Sequence, residues 1–242
     1  MPNLFHLALL AIFALLASTL AAITGFGGAA ILLPVLVLTF GTREAIPILT
    51  VAQLIGNGSR VWLNRHHLKW PVVGWFALGS IPCALIGGLL FARAPVGGLT
   101  RGLGVFLILM VVYRHLTSIP HWRPTAPAFA AIGAGASFLS ALVGSVGPLM
   151  APFFLDYGLT KAAYIGTEAL TTVIMHSAKL LAYGKASILP AHAIVAGLAL
   201  GPLMVAGSFL GKRVVDYLPE RVFVYLIEAM LVIAGIMFVV RG

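Results

Sequence analysis

Four polar side chains recur at helical spacing in the stretch "AAYIGTEALTTVIMHSAKLLAY". They are Glu168, Thr172, His176 and Lys179. At about 100° per residue they fall within an arc of about 80° on one face of a helix. A histidine titrates near neutral pH, a desolvated carboxylate can also exchange a proton there, and a lysine attracts anions. This face could therefore bind an anion and exchange protons during the same cycle.

A second polar face occurs earlier in the chain and spans a similar arc. It consists of Thr50, Gln53, Asn57, Arg60 and Asn64. The Arg60 guanidinium can bind an oxyanion bidentately, whereas the Lys179 ammonium acts as a compact point charge. The sequence leaves two alternatives open: snorkelling of either cation toward water, and a buried structural role for His176.

The composition defines the environment of these faces. Of 242 residues 61% are hydrophobic and 9% are charged, against about a quarter charged in soluble domains. The first charged side chain is Arg43. As one helix the residues before it would extend about 63 Å, twice the ~30 Å hydrocarbon core of a bilayer. The chain is therefore predicted to be an integral membrane protein whose first part turns back or crosses twice.

The apolar segments predict an all-α fold, a polytopic membrane helix bundle with about eight to ten crossings. After two N-terminal segments separated by glycines, they cover 45–63, 71–91, 98–112, 125–143, 148–155, 162–181, 189–210 and 222–240.

The two halves of the chain are similar. Sliding the sequence over itself by about 118 residues places Pro34 on Pro152 and Ser59 on Ser177, and a small shift places Arg60 on Lys179. We predict two homologous repeats of four to five segments, residues 1–116 and 117–242, within one membrane domain. Five segments in each half would make the repeats inverted, and four would make them parallel.

Each half also contains a glycine- and proline-rich break, "GFGGAAILLP" and "GSVGPLMAP". Irregular backbone at membrane depth is tolerated where it is buried or lines a watery cavity, and paired breaks indicate a transporter's binding site. We therefore expect Gly27 and Gly147 to lie where the two breaks meet near the protein centre. Gly87 and Gly88 are instead expected to be helix-packing contacts.

The stretches "ITGFGGAAILLPVLV" and "LVGSVGPLMAPFFLDYGLTKAAYIGTEAL" resemble the paired signatures of the sulfite exporter TauE/SafE family. The resemblance covers nearly the whole chain. It implies a multi-pass secondary transporter of the bacterial inner membrane that moves sulfite, organosulfonates or related organic anions. Two features depart from the pattern: the second break reads "GSVGP", and Glu168 stands where a serine is common.

We predict a small-anion transporter with its site at the repeat interface and with proton coupling through Glu168 and His176. A passive anion channel or a uniport exporter is the main alternative, and a membrane-embedded enzyme is a weaker one. The predicted substrate-binding residues are Gly25, Phe26, Gly27, Gly28, Gln53, Asn57, Arg60, Gly144, Ser145, Gly147, Thr167, Thr171 and Lys179.

Other classes of function find little support in the sequence. It contains no H-E-x-x-H, no G-x-S-x-G and no phosphate-binding loop, so we predict neither an enzyme nor a cofactor or metal. Cys83 is the single cysteine, and the net charge of +9 is attributed to basic loops rather than to nucleic-acid binding. The expected partners are a small anion, the lipid bilayer and further copies of the chain. A cleaved signal peptide is disfavoured because Met1 to Leu16 lacks Lys and Arg, and Glu228 receives no role.

Overall fold

The computed structural model describes residues 4–91, 123–144 and 146–241, and its regular elements are helices. In chain order α1 is Leu4–Thr24, α2 Gly28–Phe40, α3 Thr42–Leu63, α4 Trp70–Leu90, α5 Ala128–Val143, α6 Gly147–Asp156, α7 Lys161–Lys185, α8 Ala191–Ala199, α9 Gly201–Tyr217 and α10 Glu220–Arg241. A short 3₁₀ turn, Arg65–His67, links α3 to α4. The predicted all-α bundle is confirmed, and the predicted segment 98–112 lies outside the described residues.

The distribution of apolar side chains fits a bilayer. Among the described helices, three are long and apolar enough to cross a membrane, Leu7–Thr24, Trp70–Leu90 and Ala191–Tyr217. The third passes from α8 into α9 through a turn at Leu200. Large apolar side chains such as Leu38 and Val195 are exposed on the outside, at 77% and 65%. The polar faces of α3 and α7 are buried, so the usual distribution of a soluble protein is reversed.

Left-handed glycines produce the two breaks. Gly25 and Gly27 have φ values of 84° and 89° between α1 and α2, and Gly144 has φ 89° at the end of α5. Residues with a side chain rarely adopt this conformation, so glycine is needed to end the helix there. α6 then begins at Gly147 with a proline in its first turn, where the missing N–H costs no hydrogen bond.

Small residues allow the surrounding helices to approach closely. α3 and α7 pack together at the centre, while α1 packs on α9 and α5 packs on α4. A Cβ on Gly87 would lie 2.8 Å from the Phe138 carbonyl oxygen, and one on Gly88 would lie 2.6 Å from the Ala182 Cβ. The prediction that Gly87 and Gly88 are packing contacts is confirmed, because any side chain there would separate α4 from its neighbours.

Candidate functional site

The two predicted polar faces point toward one another in the middle of the bundle. α3 and α7 are in direct contact, and their polar side chains are buried. A buried polar group in a membrane protein is costly unless it is paired or faces a cavity. The partners of these side chains therefore define the site.

A small cavity lies between the first break and the two polar helices. Its volume is about 20 Å³, which is room for about one water molecule. The first break contributes Gly25, Phe26, Gly27 and Gly28, and α3 contributes Gln53, Asn57 and Arg60. The second half contributes Gly147, Glu168, Thr172 and His176 to the lining. Residues of both halves thus surround one point.

Arg60 stabilises the broken end of α1. Its Nη1 donates to the carbonyl oxygens of Ala21 at 2.8 Å and Gly25 at 2.6 Å, and its Nη2 donates to Asn57 Oδ1. These carbonyls are at the C-terminal end of α1, where no further helical turn follows to donate N–H groups and where the helix dipole places partial negative charge. The guanidinium therefore compensates for the hydrogen bonds that the break removes.

Lys179 does the same for α5. Its Nζ donates to the carbonyl oxygens of Ser140 and Gly144, both at 3.0 Å, and to Ser140 Oγ at 3.2 Å. In each half the cation reaches carbonyls 39 and 35 residues before it. Arg60 and Lys179 are 4% and 0% exposed, so the alternative that they snorkel toward water is wrong.

Glu168 pairs with the cation of the other half. Its Oε2 is 3.5 Å from Arg60 Nη1, and its Oε1 accepts a hydrogen bond from Thr172 Oγ1 at 2.9 Å. The 3.5 Å approach is an ion pair, but Oε2 has no hydrogen-bond partner among the described residues. When Arg60 is aligned with Lys179, Leu49 takes the place of Glu168. The ion pair therefore joins the two halves through Arg60, and the equivalent position for pairing with Lys179 holds an apolar side chain.

The two breaks touch one another. A Cβ on Gly147 would lie 2.9 Å from the Phe26 Cβ, so the start of α6 packs directly on the first break. Gly27 precedes the first turn of α2 and is buried. The expectation that Gly27 and Gly147 lie where the breaks meet is confirmed. Because the first residues of α2 and α6 line the cavity, unpaired N–H groups and the positive ends of two helix dipoles are near it.

Other predicted residues lie outside the cavity lining. Lys179 Nζ donates a hydrogen bond to the Gly144 carbonyl oxygen at the end of α5. Thr167 Oγ1 accepts the Lys69 backbone N–H at 3.1 Å, and Thr171 Oγ1 donates to the Glu168 carbonyl at 2.8 Å. Ser145 lies outside the described residues. The arrangement does not bring the described ones, Gly144, Thr167, Thr171 and Lys179, to the cavity.

Thr172 and His176 also line the cavity. Thr172 belongs to the predicted polar face but not to the predicted binding residues, and its spacing of four from Glu168 is the signal for their hydrogen bond. His176 lines the cavity, and its Nδ1 has no hydrogen-bond partner within the described chain. An unpaired buried nitrogen next to a cavity can accept a proton or bind a ligand.

The family described as Sulfite exporter TauE/SafE matches residues 10–238. No curated protein and no solved structure matches the chain.

Proposed function

Because the chain belongs to the sulfite exporter TauE/SafE family, we propose that it is a secondary transporter of small anions, with its site at the interface of the two halves. The family and the apolar helices identify a multi-pass membrane protein. Sulfite and organosulfonates are the proposed substrates, and the bacterial inner membrane is the proposed location. The proposed site is the cavity between the two breaks.

One observation carries this proposal: a buried arginine lines a cavity where two helix breaks meet. Arginine donors and the N-termini of broken helices both favour anions, and both are present at one point. A guanidinium has a fixed fork that matches the oxygen geometry of sulfite or a sulfonate. Gln53 and Asn57 add amide groups beside it, and these can bind further oxygens.

The size of the cavity favours a carrier over an open channel. A volume of about 20 Å³ accommodates about one water molecule and not a four-atom oxyanion. The helices around the breaks must therefore move before an anion can enter. Such motion about a fixed central site is the alternating-access behaviour of transporters built from repeats.

The same site supports coupling to protons. An anion beside a charged Glu168 would place two negative charges against Arg60 in a buried space, which is strongly unfavourable. Protonation of Glu168 removes that conflict, and His176 is a second group that can carry a proton. Export of an anion is already driven by an inside-negative potential, at about 2.3 kcal/mol per charge per 100 mV. Import requires another source of free energy, which a coupled proton would supply.

Counterflow in proteoliposomes tests the transport class. Vesicles that contain the purified protein and are loaded with unlabelled sulfite should transiently accumulate external labelled sulfite, because a carrier exchanges one for the other. A screen of sulfonates, sulfate and carboxylates under the same conditions would define the substrate. Saturable flux without counterflow would support the channel alternative, and the absence of flux for every anion would contradict the proposal.

Glu168→Gln tests the coupling. The variant retains the shape and the hydrogen bond to Thr172 but cannot exchange a proton. We expect it to retain counterflow and to lose accumulation driven by an imposed pH gradient. Accumulation that persists in the variant, or wild-type uptake that ignores the gradient, would leave Glu168 a structural role and favour the uniport exporter.

A further inference from the structure

The two buried cations, Arg60 and Lys179, occupy equivalent places. They differ in how many of their N–H groups are not used in hydrogen bonds to the protein. An ammonium has three N–H groups, and the three acceptors around Lys179 Nζ account for all of them. A guanidinium has five N–H groups. Within the described part of the chain, three of those on Arg60 donate hydrogen bonds, to Ala21, Gly25 and Asn57.

The surroundings of the two cations also favour ligand binding at Arg60 rather than at Lys179. Arg60 lines the central cavity together with Glu168 and with His176, whose Nδ1 has no hydrogen-bond partner among the described residues. Lys179 lies outside that lining, and within the described residues it has no carboxylate partner. Arg60 therefore has spare donors, the cavity and a counter-charge beside it, and among the described residues Lys179 has none of the three.

We propose that each chain binds a single anion, on the spare N–H groups of Arg60 at the first break, and that Lys179 only holds the second break together. This inference rests on the proposed function and deepens it by assigning unequal roles to two residues that the sequence predicts to be equivalent. On this proposal the first break is the ligand site. The second break has a structural role, because Gly147 packs against Phe26 of the first break.

The choice of arginine or lysine at each position is therefore functional. A lysine at position 60 would use its three N–H groups on the carbonyls of α1 and on Asn57, as Lys179 does at α5, and none would remain for an anion. The helix end would stay satisfied, so the variant is expected to fold. An arginine at position 179 keeps the charge and the donors that α5 requires.

Equilibrium binding of radiolabelled sulfite to the purified full-length protein tests the inference, with methanesulfonate as the competing anion. We expect saturation at one anion per chain. Arg60→Lys should weaken binding about tenfold or more, the loss expected for one charge-assisted hydrogen bond, with little change in Tm. Lys179→Arg should weaken binding less than Arg60→Lys, and Arg65→Lys, in the exposed 3₁₀ turn, should leave it unchanged.

The outcomes separate this inference from the proposed function. Two anions per chain, or equal losses of affinity in Arg60→Lys and Lys179→Arg, would overturn the inference and leave anion transport intact. Wild-type protein that binds neither sulfite nor methanesulfonate would overturn the proposed function itself.

Discussion

At the scale of single residues, the proposed transport depends on backbone groups that the breaks expose. Gly27 is buried and has φ 89° at the cavity. A side chain there would strain the backbone and fill the space of the proposed anion site. The glycine thus combines two requirements, a conformation and a volume, which no other residue meets.

Gly27→Leu should abolish sulfite uptake while the protein still inserts in the membrane. Gly58→Leu is the matched control, because Gly58 lies on α3 and a Cβ there meets open space. Uptake assays on reconstituted variants of equal yield provide the measurement. If Gly27→Leu transports like Gly58→Leu, the first break is not the site.

Individual site residues could be predicted from the sequence only in part. Helical spacing placed Glu168 and His176 on one face with Arg60 on another, and the structure brings all three to one cavity. The pairing of Glu168 with Arg60 could not be predicted, because spacing shows which residues share a face but not which faces meet. The bonds from Arg60 and Lys179 to carbonyls depend on backbone that only the folded breaks expose.

At the scale of elements, close helix packing holds the frame around the site. α4 lies against α5 so closely that a Cβ on Gly79 would be 1.8 Å from the Ala130 carbonyl oxygen. No rotamer can relieve a clash with backbone, so the helices would have to separate. The α4–α5 pair therefore forms a tightly packed unit beside α7.

Gly79→Leu should destabilise the protein by about 1–3 kcal/mol or more. Gly74→Leu changes the same helix where a Cβ meets nothing within 4 Å, and it should leave stability unchanged. The Tm of each purified variant in detergent, followed by circular dichroism, compares them. Equal Tm values would show that α4 and α5 can separate without cost.

The helices themselves could be predicted well. Apolar runs bounded by glycine, proline and short polar loops gave α1, α2 and α6 close to their observed limits, because a membrane segment must satisfy its backbone internally. The turn at Leu200 between α8 and α9 was not predicted. Gly201 and Pro202 follow it and mark a turn, but the apolar residues on both sides read as one continuous segment.

At the scale of the whole molecule, the two halves place similar breaks back to back and differ in their charges. Arg60 and Glu168 form an ion pair across the halves, and Lys179 stays with the carbonyls of its own half. We propose that Arg60, in the cavity between the breaks, binds the transported anion. Arg65, exposed in the 3₁₀ turn, has the same charge away from the cavity and is the matched control.

The concentration dependence of sulfite uptake into proteoliposomes tests that claim most directly, with wild-type protein, Arg60→Gln and Arg65→Gln compared at equal protein content. We expect saturable uptake by wild-type protein and Arg65→Gln, and a KM raised about tenfold or more in Arg60→Gln because charge-assisted hydrogen bonds to the anion are lost. An unchanged KM in Arg60→Gln would contradict the account.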